Sequence, residues 1–239
     1  MLTSALVAGL LAGCAGGSGP AAQSAASSRP ATSAKSSPAG AATSPARSAT
    51  PRPTASPSAL PVAPGAGSKP QTPALPHTRS AAFRHAMSDL WLAVTTGKPS
   101  LALPAFFPLA AYRQVKAIYD PAADWRGRLW HDFTLDVAAA HRLVGGHARL
   151  DRVIVPSGDA AWIGPGACYN RVGYWHVPQS RVVYRSGRGK LRSFGIASLI
   201  SWRGDWYVVH FGAVLRNAAV GIVDQPAAGP GQTGPPGGC

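Results

Sequence analysis

The sequence predicts an α+β domain in which N-terminal helices pack on a curved antiparallel β-sheet, preceded by a disordered linker. Three observations support this prediction. Residues 15–78 contain no aromatic side chain, whereas all seven tryptophans lie between Arg79 and Asp224. In that region, apolar residues first recur at helical spacing and then give way to short β-branched and aromatic runs separated by turn residues. Helices followed by a series of antiparallel strands are typical of the α+β class.

The first half of the domain predicts three helical stretches. The first begins at Ser80, a suitable N-cap, and ends at Gly97, and its apolar residues repeat at helical spacing. The second covers residues 101–119 and is broken, because interior prolines at 104 and 108 each remove a helical hydrogen bond. The third covers residues 125–144. We expect its apolar stripe to face the core and Asp132 and Asp136 to lie on its solvent face.

The second half of the domain predicts six strands. These are residues 148–155, 160–163, 169–177, 181–184, 190–202 and 206–211. Ser186 to Gly189 and Arg203-Gly204-Asp205 have the composition of hairpin turns. The alternation of short strands and tight turns indicates one antiparallel sheet.

This order of elements resembles the NTF2-like or cystatin-like superfamily, in which helices fill the concave side of a curved sheet. The stretch "SWRGDWYVVHFG", from Ser201 to Gly212, is similar to the closing hairpin of such domains. The resemblance implies a cone formed by helices and sheet. It does not select a function, since the same fold serves isomerases, dehydratases and binding modules.

The first thirteen residues predict a lipoprotein signal peptide. The apolar run from Ala5 to Leu10 is about half the length needed to span a bilayer, which is typical of an export signal. Leu11-Ala12-Gly13-Cys14 resembles the lipobox of bacterial lipoproteins, and the composition suits an actinobacterial source. The resemblance implies a diacylglyceryl group on Cys14 and cleavage before it. We therefore expect an exported protein, anchored by lipid at the outer face of the cell membrane.

Residues 14–78 predict a disordered Ser/Ala/Pro/Thr-rich tether, and residues 225–239 a disordered Gly/Pro-rich tail. The tether contains too few large apolar side chains to offset the entropy of ordering. A flexible chain of that length has an r.m.s. reach of roughly 45 Å. This reach would carry the domain at residues 79–224 away from the membrane.

The chain is strongly basic, with 23 lysines and arginines, nine acidic residues that are all aspartate, and a net charge of +14. This balance suits a lipid bilayer or an anionic cell-wall polymer as partner, and an envelope protein is a further candidate. We do not expect nucleic acid as a partner, because the basic residues are scattered singly. A general bias of composition explains the same charge without any specific site.

Two groups of residues are candidates for a site. Tyr169, Asn170, Arg171 and Trp175 combine aromatic and polar side chains beside a Gly-Pro-Gly turn, and we predict that they bind a ligand if the domain has a ligand site. His85, His131, Asp132 and Asp136 could supply an Asp/His general base inside the cone. A solvated helix face is the simpler interpretation of the second group.

The three cysteines, Cys14, Cys168 and Cys239, are too far apart in sequence for a predicted metal site, and no cofactor motif is present. An exported chain favours a disulfide between Cys168 and Cys239, with a buried thiol or an intermolecular bridge as the alternatives. Cys168 with His176 or His210 matches no nucleophile signature.

Two functions remain open. The first is a membrane-anchored envelope lipoprotein that presents a small ligand-binding or partner-binding domain without catalysis. The second is a motif-poor cavity enzyme that uses an Asp/His base. The sequence motifs of the common hydrolase, zinc-protease and nucleotide-binding classes do not occur in the chain.

Overall fold

The computed structural model describes residues 65–212, 216 and 219–234. Over these residues the protein is an α+β domain in which helices pack against an antiparallel sheet that curls into a half-barrel. The predicted fold class is therefore confirmed. The signal peptide, Cys14 and residues 14–64 of the predicted tether lie outside the described residues. Residues 65–78 of that tether are described and contact the domain, since the Gln71 side-chain amide donates to the Ser201 carbonyl at 2.9 Å.

Helix α1 (Ala81–Thr96) has the ends that the sequence predicts. Ser80 caps it, since its Oγ accepts a hydrogen bond from the Phe83 amide at 3.0 Å. Gly97 ends it with a φ of 67°, a left-handed conformation that glycine adopts at little cost. One face is buried against the sheet and the last long helix.

The two later helical stretches are more divided than predicted. A 3₁₀ turn (Pro99–Ala102) precedes α2 (Leu109–Val115). The third stretch consists of α3 (Pro121–Asp124), a π-helical segment (Trp125–Trp130) and α4 (His131–Val144). It therefore begins one turn earlier than the predicted helix.

The π-helical segment explains how two tryptophans five residues apart share a face. In an α-helix their side chains would point about 140° apart, whereas the wider π-turn aligns them. Trp125 and Trp130 stack with ring centroids 5.8 Å apart and planes 3° apart. The Trp125 indole also donates to the Phe107 carbonyl at 2.7 Å, which fixes this segment over the residues that precede α2.

The sheet is built around two long central strands. The strands are β1 (Arg149–Ile154), β2 (Ala161–Ile163), β3 (Tyr174–Arg185), β4 (Leu191–Trp202), β5 (Asp205–His210) and β6 (Ala227–Ala228). β1 and β2 pair with successive parts of β3, and β5 and β6 pair with different halves of β4. All these pairings are antiparallel, as predicted.

Strand β3 replaces two predicted strands, residues 169–177 and 181–184. It runs through Pro178, which pairs with Ser198 of β4. Neither β1 nor β2 pairs with residues 177–180, so proline is tolerated where the strand has only one partner strand. The next residue, Gln179, has a φ of 51°.

The predicted hairpin between β4 and β5 is present. Arg203 and Gly204 both have positive φ, 54° and 82°, as a two-residue turn of the I′ type requires. The paired residues Trp202 and Asp205 close this turn.

The structure differs from the predicted tail at residues 225–234. The backbone of Asp224 accepts a hydrogen bond from the Gly195 amide at 2.7 Å, and Ala227–Ala228 forms β6 beside β4. The Gln225 carbonyl also accepts a bond from Arg181 at 2.9 Å. These backbone bonds order a segment whose Gly/Pro composition indicated disorder, and residues 235–239 lie outside the described part of the chain.

Asp136 is a second correction, because it is only 1% exposed rather than on the solvent face. Its carboxylate accepts bonds from the Gly212 and Ile222 amides, at 2.9 and 2.8 Å, and from Arg216 at 2.8 and 2.9 Å. The residue therefore ties α4 to the chain that follows β5.

Candidate functional site

A group of polar side chains meets between α2, the π-helical segment and strands β3 to β5. The loop before β3 is fastened to the end of α2 by two backbone bonds, from Ala117 to the Tyr169 carbonyl at 2.8 Å and from Arg171 to the Val115 carbonyl at 2.6 Å. Phe107 contacts Tyr112 of α2 and Tyr207 of β5 edge to face. These contacts bring the helical and sheet sides of the group together.

On the helical side, Tyr112, Asp124 and Arg128 form one hydrogen-bonded unit. Arg128 bonds both oxygens of Asp124, at 2.8 and 2.6 Å, and the Tyr112 hydroxyl donates to the same carboxylate. Burial alone would raise the pKa of Asp124, but the bonds from Arg128 and Tyr112 outweigh burial and lower it. Burial and the neighbouring carboxylate raise the pKa of Tyr112. Asp124 is therefore an ionised, fully engaged carboxylate at neutral pH.

Lys116, the residue after α2, reaches the loop before β3. Its Nζ donates to the Cys168 carbonyl at 2.8 Å and to Asn170 Oδ1 at 3.0 Å. Burial and the positive charge of Arg128 lower the pKa of the Lys116 ammonium. An ammonium has three donors, so one remains after these two bonds.

On the sheet side, His176, Ser198 and His210 lie on three neighbouring strands. Ser198 pairs directly with His210, and its Oγ lies 2.8 Å from His176 Nε2. Burial lowers the pKa of His176. Burial also lowers the pKa of His210, and with the nearby charges of Arg128, Arg216, His176 and Lys116 the value falls to about 4. Both imidazoles are therefore neutral at pH 7.

We call this group the α2–sheet cluster. Its members are polar and come from α2, the following helical stretch, the loop before β3 and the three strands. On the sheet side they are buried or half-buried, whereas Arg128 is exposed. They are Tyr112, Lys116, Asp124, Arg128, Asn170, Tyr174, His176, Ser198, Tyr207 and His210. Burial raises the pKa of Tyr174 and raises that of Tyr207 to about 12. Both phenols therefore stay protonated and can donate.

The structure separates the four ligand-binding residues that the sequence predicts. Asn170 belongs to the α2–sheet cluster and is 3% exposed, whereas the side chain of Tyr169 is 77% exposed and that of Arg171 is also exposed. Trp175 alternates with Tyr174 and His176, so it lies on the other sheet face, where it packs on Trp162 and donates to the Pro73 carbonyl at 2.9 Å. Their role in binding stays a prediction.

The residues of the predicted Asp/His base do not meet. His85 and His131 are exposed on different helices, and Asp136 is occupied by the contacts that hold Gly212, Arg216 and Ile222. Asp132 lies 3.8 Å from Arg216. Among the described residues, no carboxylate is hydrogen-bonded to His176 or His210.

Cys168 is disulfide-bonded. Both other cysteines, Cys14 and Cys239, lie outside the described residues, so the predicted bridge between Cys168 and Cys239 stays a prediction. Cys168 and Tyr169 have consecutive positive φ values of 50° and 56°, which is uncommon for residues with a Cβ. The loop that carries Asn170 thus holds a strained backbone.

Sequence reasoning missed most of the helical side of the cluster. Tyr112 and Lys116, and likewise Asp124 and Arg128, are four residues apart, a spacing that places each pair on one helix face. This spacing is a weak signal, because most such pairs lie on solvated surfaces. That Lys116 belongs to a site is shown only by its contact with Asn170, which is distant in sequence.

The described residues thus define a domain with a half-barrel sheet and a partly buried polar cluster at its junction with α2. The comparisons with known proteins found no matching family model, no similar curated protein and no similar solved structure. In the part of the chain that the structure describes, no group of three or more metal-binding side chains comes together, and no helix has the length and apolarity to cross a membrane.

Proposed function

We propose that this protein is an envelope lipoprotein, anchored through an acylated Cys14, whose α+β domain binds a ligand at the α2–sheet cluster without catalysis. The anchor is supported by the sequence Leu11 to Cys14 and the apolar run before it. The tether that follows gives the domain reach from the membrane. The high positive charge of the chain adds affinity for the anionic polymers of the envelope.

One observation supports binding over catalysis: His210 lies near several cations, His176 is buried, and neither histidine has a hydrogen-bonded carboxylate among the described residues. A general base works best with a pKa near the ambient pH. His210, with a pKa near 4, is a weak base, and Asp124 is held by Arg128 and Tyr112. The cluster is therefore suited to holding a group in place rather than to moving a proton.

The anchor is tested in intact bacteria that process lipoproteins. Cells expressing the wild-type chain or Cys14→Ala are fed radiolabelled palmitate, fractionated, and treated with protease from outside. We expect label, membrane association and surface cleavage of the wild type, and loss of label and membrane association for Cys14→Ala. A matched Cys168→Ala variant should keep the label. An unlabelled wild-type chain in the cytosol contradicts the proposal.

A further inference from the structure

Lys116 carries a positive charge that no carboxylate of the described residues neutralises by direct contact. Its two bonds go to the neutral oxygens of Cys168 and Asn170, and its third N–H has no acceptor there. The nearby cations differ in this respect, since Arg128 is paired with Asp124 and Arg216 with Asp136. A partly buried, unpaired ammonium is costly, so this position favours an anion.

Two further polar nitrogens of the cluster are buried and make no complete hydrogen bond. Asn170 accepts from Lys116 through Oδ1, while its buried Nδ2 amide interacts with the Tyr174 phenol without completing a hydrogen bond. His176 Nδ1 is likewise buried and unpartnered. When the Ser198 hydroxyl donates to Nε2, the proton of the neutral imidazole lies on Nδ1 and makes it a donor. Buried donors are nearly always satisfied in native proteins, so an acceptor is expected here.

The polar groups of the α2–sheet cluster come from α2, the third helical stretch, the loop before β3 and strands β3 to β5. Asp124 is the one carboxylate in the cluster, and it already accepts hydrogen bonds from Tyr112 and Arg128. The cluster therefore holds one cation, Lys116, that has no directly bonded carboxylate among the described residues.

We propose that the α2–sheet cluster binds an oxyanion, the carboxylate or phosphate group of its ligand, through Lys116, Asn170 and His176. This inference rests on the proposed function and names the ligand class of the same site. Lys116 supplies the charge, and the amide and imidazole supply neutral hydrogen bonds. A bound anion would neutralise the one unpaired cation and satisfy the two buried donors at once.

The test measures binding of inorganic phosphate and of acetate by isothermal titration calorimetry, at constant ionic strength, to the full chain carrying Cys14→Ala. The informative variant is Asn170→Asp, which keeps the size and the acceptor for Lys116 but adds the missing negative charge. We expect phosphate or acetate to bind the parent chain and to bind Asn170→Asp at least tenfold more weakly. Lys116→Met should weaken binding similarly, whereas Lys190→Met, at an exposed turn, should leave it unchanged.

The variants separate a site from general charge. Thermal unfolding checks that each variant is folded, and the isosteric Asn170→Asp remains informative if Lys116→Met is not. Absence of binding to the parent chain, or equal weakening in Lys190→Met, overturns the inference without affecting the palmitate result. Co-sedimentation of the protein with vesicles of phosphatidylcholine, with and without phosphatidylglycerol, then identifies the source of the oxyanion. If Asn170→Asp reduces co-sedimentation with the phosphatidylglycerol vesicles, the ligand is a lipid headgroup. If co-sedimentation is unchanged, the ligand is soluble.

Discussion

His210 shows how a single side chain in a cationic environment makes stability depend on pH. It lies on β5 opposite Ser198, and the charged groups near it are Arg128, Lys116, Arg216 and, when protonated, His176. Burial and these charges disfavour the imidazolium. The neutral ring is therefore the form that the folded protein accommodates.

We expect the free energy of unfolding to decrease as the pH falls from about 6.5 to about 4. In this range the unfolded chain takes up a proton at His210, whereas the folded protein does so only near pH 4, so acid favours unfolding. The contribution of His210 is at most about 3 kcal/mol. The lowered pKa of His176 acts in the same direction.

The measurement is urea unfolding at pH 7.5, 6 and 4.5 for the wild type and His210→Gln. The variant should lose less stability than the wild type between the first and last pH. His85→Gln, at an exposed position on α1, serves as control and should follow the wild type. Parallel losses in the wild type and His210→Gln would show that His210 is not the group responsible.

At the scale of elements, two glycines in helix and strand differ in the space available for a side chain. Gly127 lies in the π-helical segment, and a Cβ added there would meet nothing within 4 Å. Gly195 lies in β4, and a Cβ added there would collide with the Asp224 carboxylate. The position of Gly127 has room for a side chain, whereas Gly195 leaves room for the Asp224 side chain of the segment beside β4.

We therefore expect Gly127→Ala to raise the free energy of unfolding by about 0.5–1 kcal/mol, because alanine restricts the unfolded chain more than glycine does. Gly195→Ala should lower it by about 1–3 kcal/mol through overpacking. Both values come from urea unfolding at pH 7. A destabilising Gly127→Ala would mean that the π-turn itself needs glycine.

The sequence predicted the helix ends and turns that depend only on residues close together in the chain. Ser80 and Gly97 mark α1 because capping is a local interaction, and Arg203-Gly204 marks the hairpin because the turn requires positive φ. The continuity of β3 through Pro178 could not be predicted in this way, since it depends on where β1 and β2 end. The burial of Asp136 likewise depends on residues some 76 to 86 positions away.

The candidate site was predictable only in part, for the same reason. Asn170 was among the predicted residues because it lies in a loop rich in polar and aromatic side chains. Lys116 reaches it across 54 positions of sequence, and His176 reaches Ser198 across 22. A single sequence provides no signal for such pairings.

At the scale of the whole molecule, the segment after Asp224 is part of the domain. It supplies β6 and the carbonyl of Gln225 for Arg181, whose side chain is 1% exposed. Arg181 otherwise bonds Ser193 at 2.7 Å. Loss of the segment would leave a buried guanidinium with fewer partners.

We expect a chain that ends at Asp224 to be less stable by about 2–4 kcal/mol than one that ends at Gly234, since a buried charge loses a hydrogen bond and β4 loses a strand. Thermal and urea unfolding of both chains in dithiothreitol provide the measurement, because reduction removes any contribution from Cys168. Equal stability of the two chains would show that residues 225–234 contribute no folding energy.

The edge strands of the sheet also bear on the association of the protein with itself at high concentration. The two twelve-residue strands are interior, and the borders consist of strands of two to six residues, with register shifts in the pairing of β1 with β3 and of β5 with β4. The outer side of β5 is further covered by backbone bonds between Val208 and residues Ala105 and Phe107. Long open strands are the templates on which chains join into fibrils. Short, interrupted borders of this kind disfavour edge-to-edge association between copies of the protein.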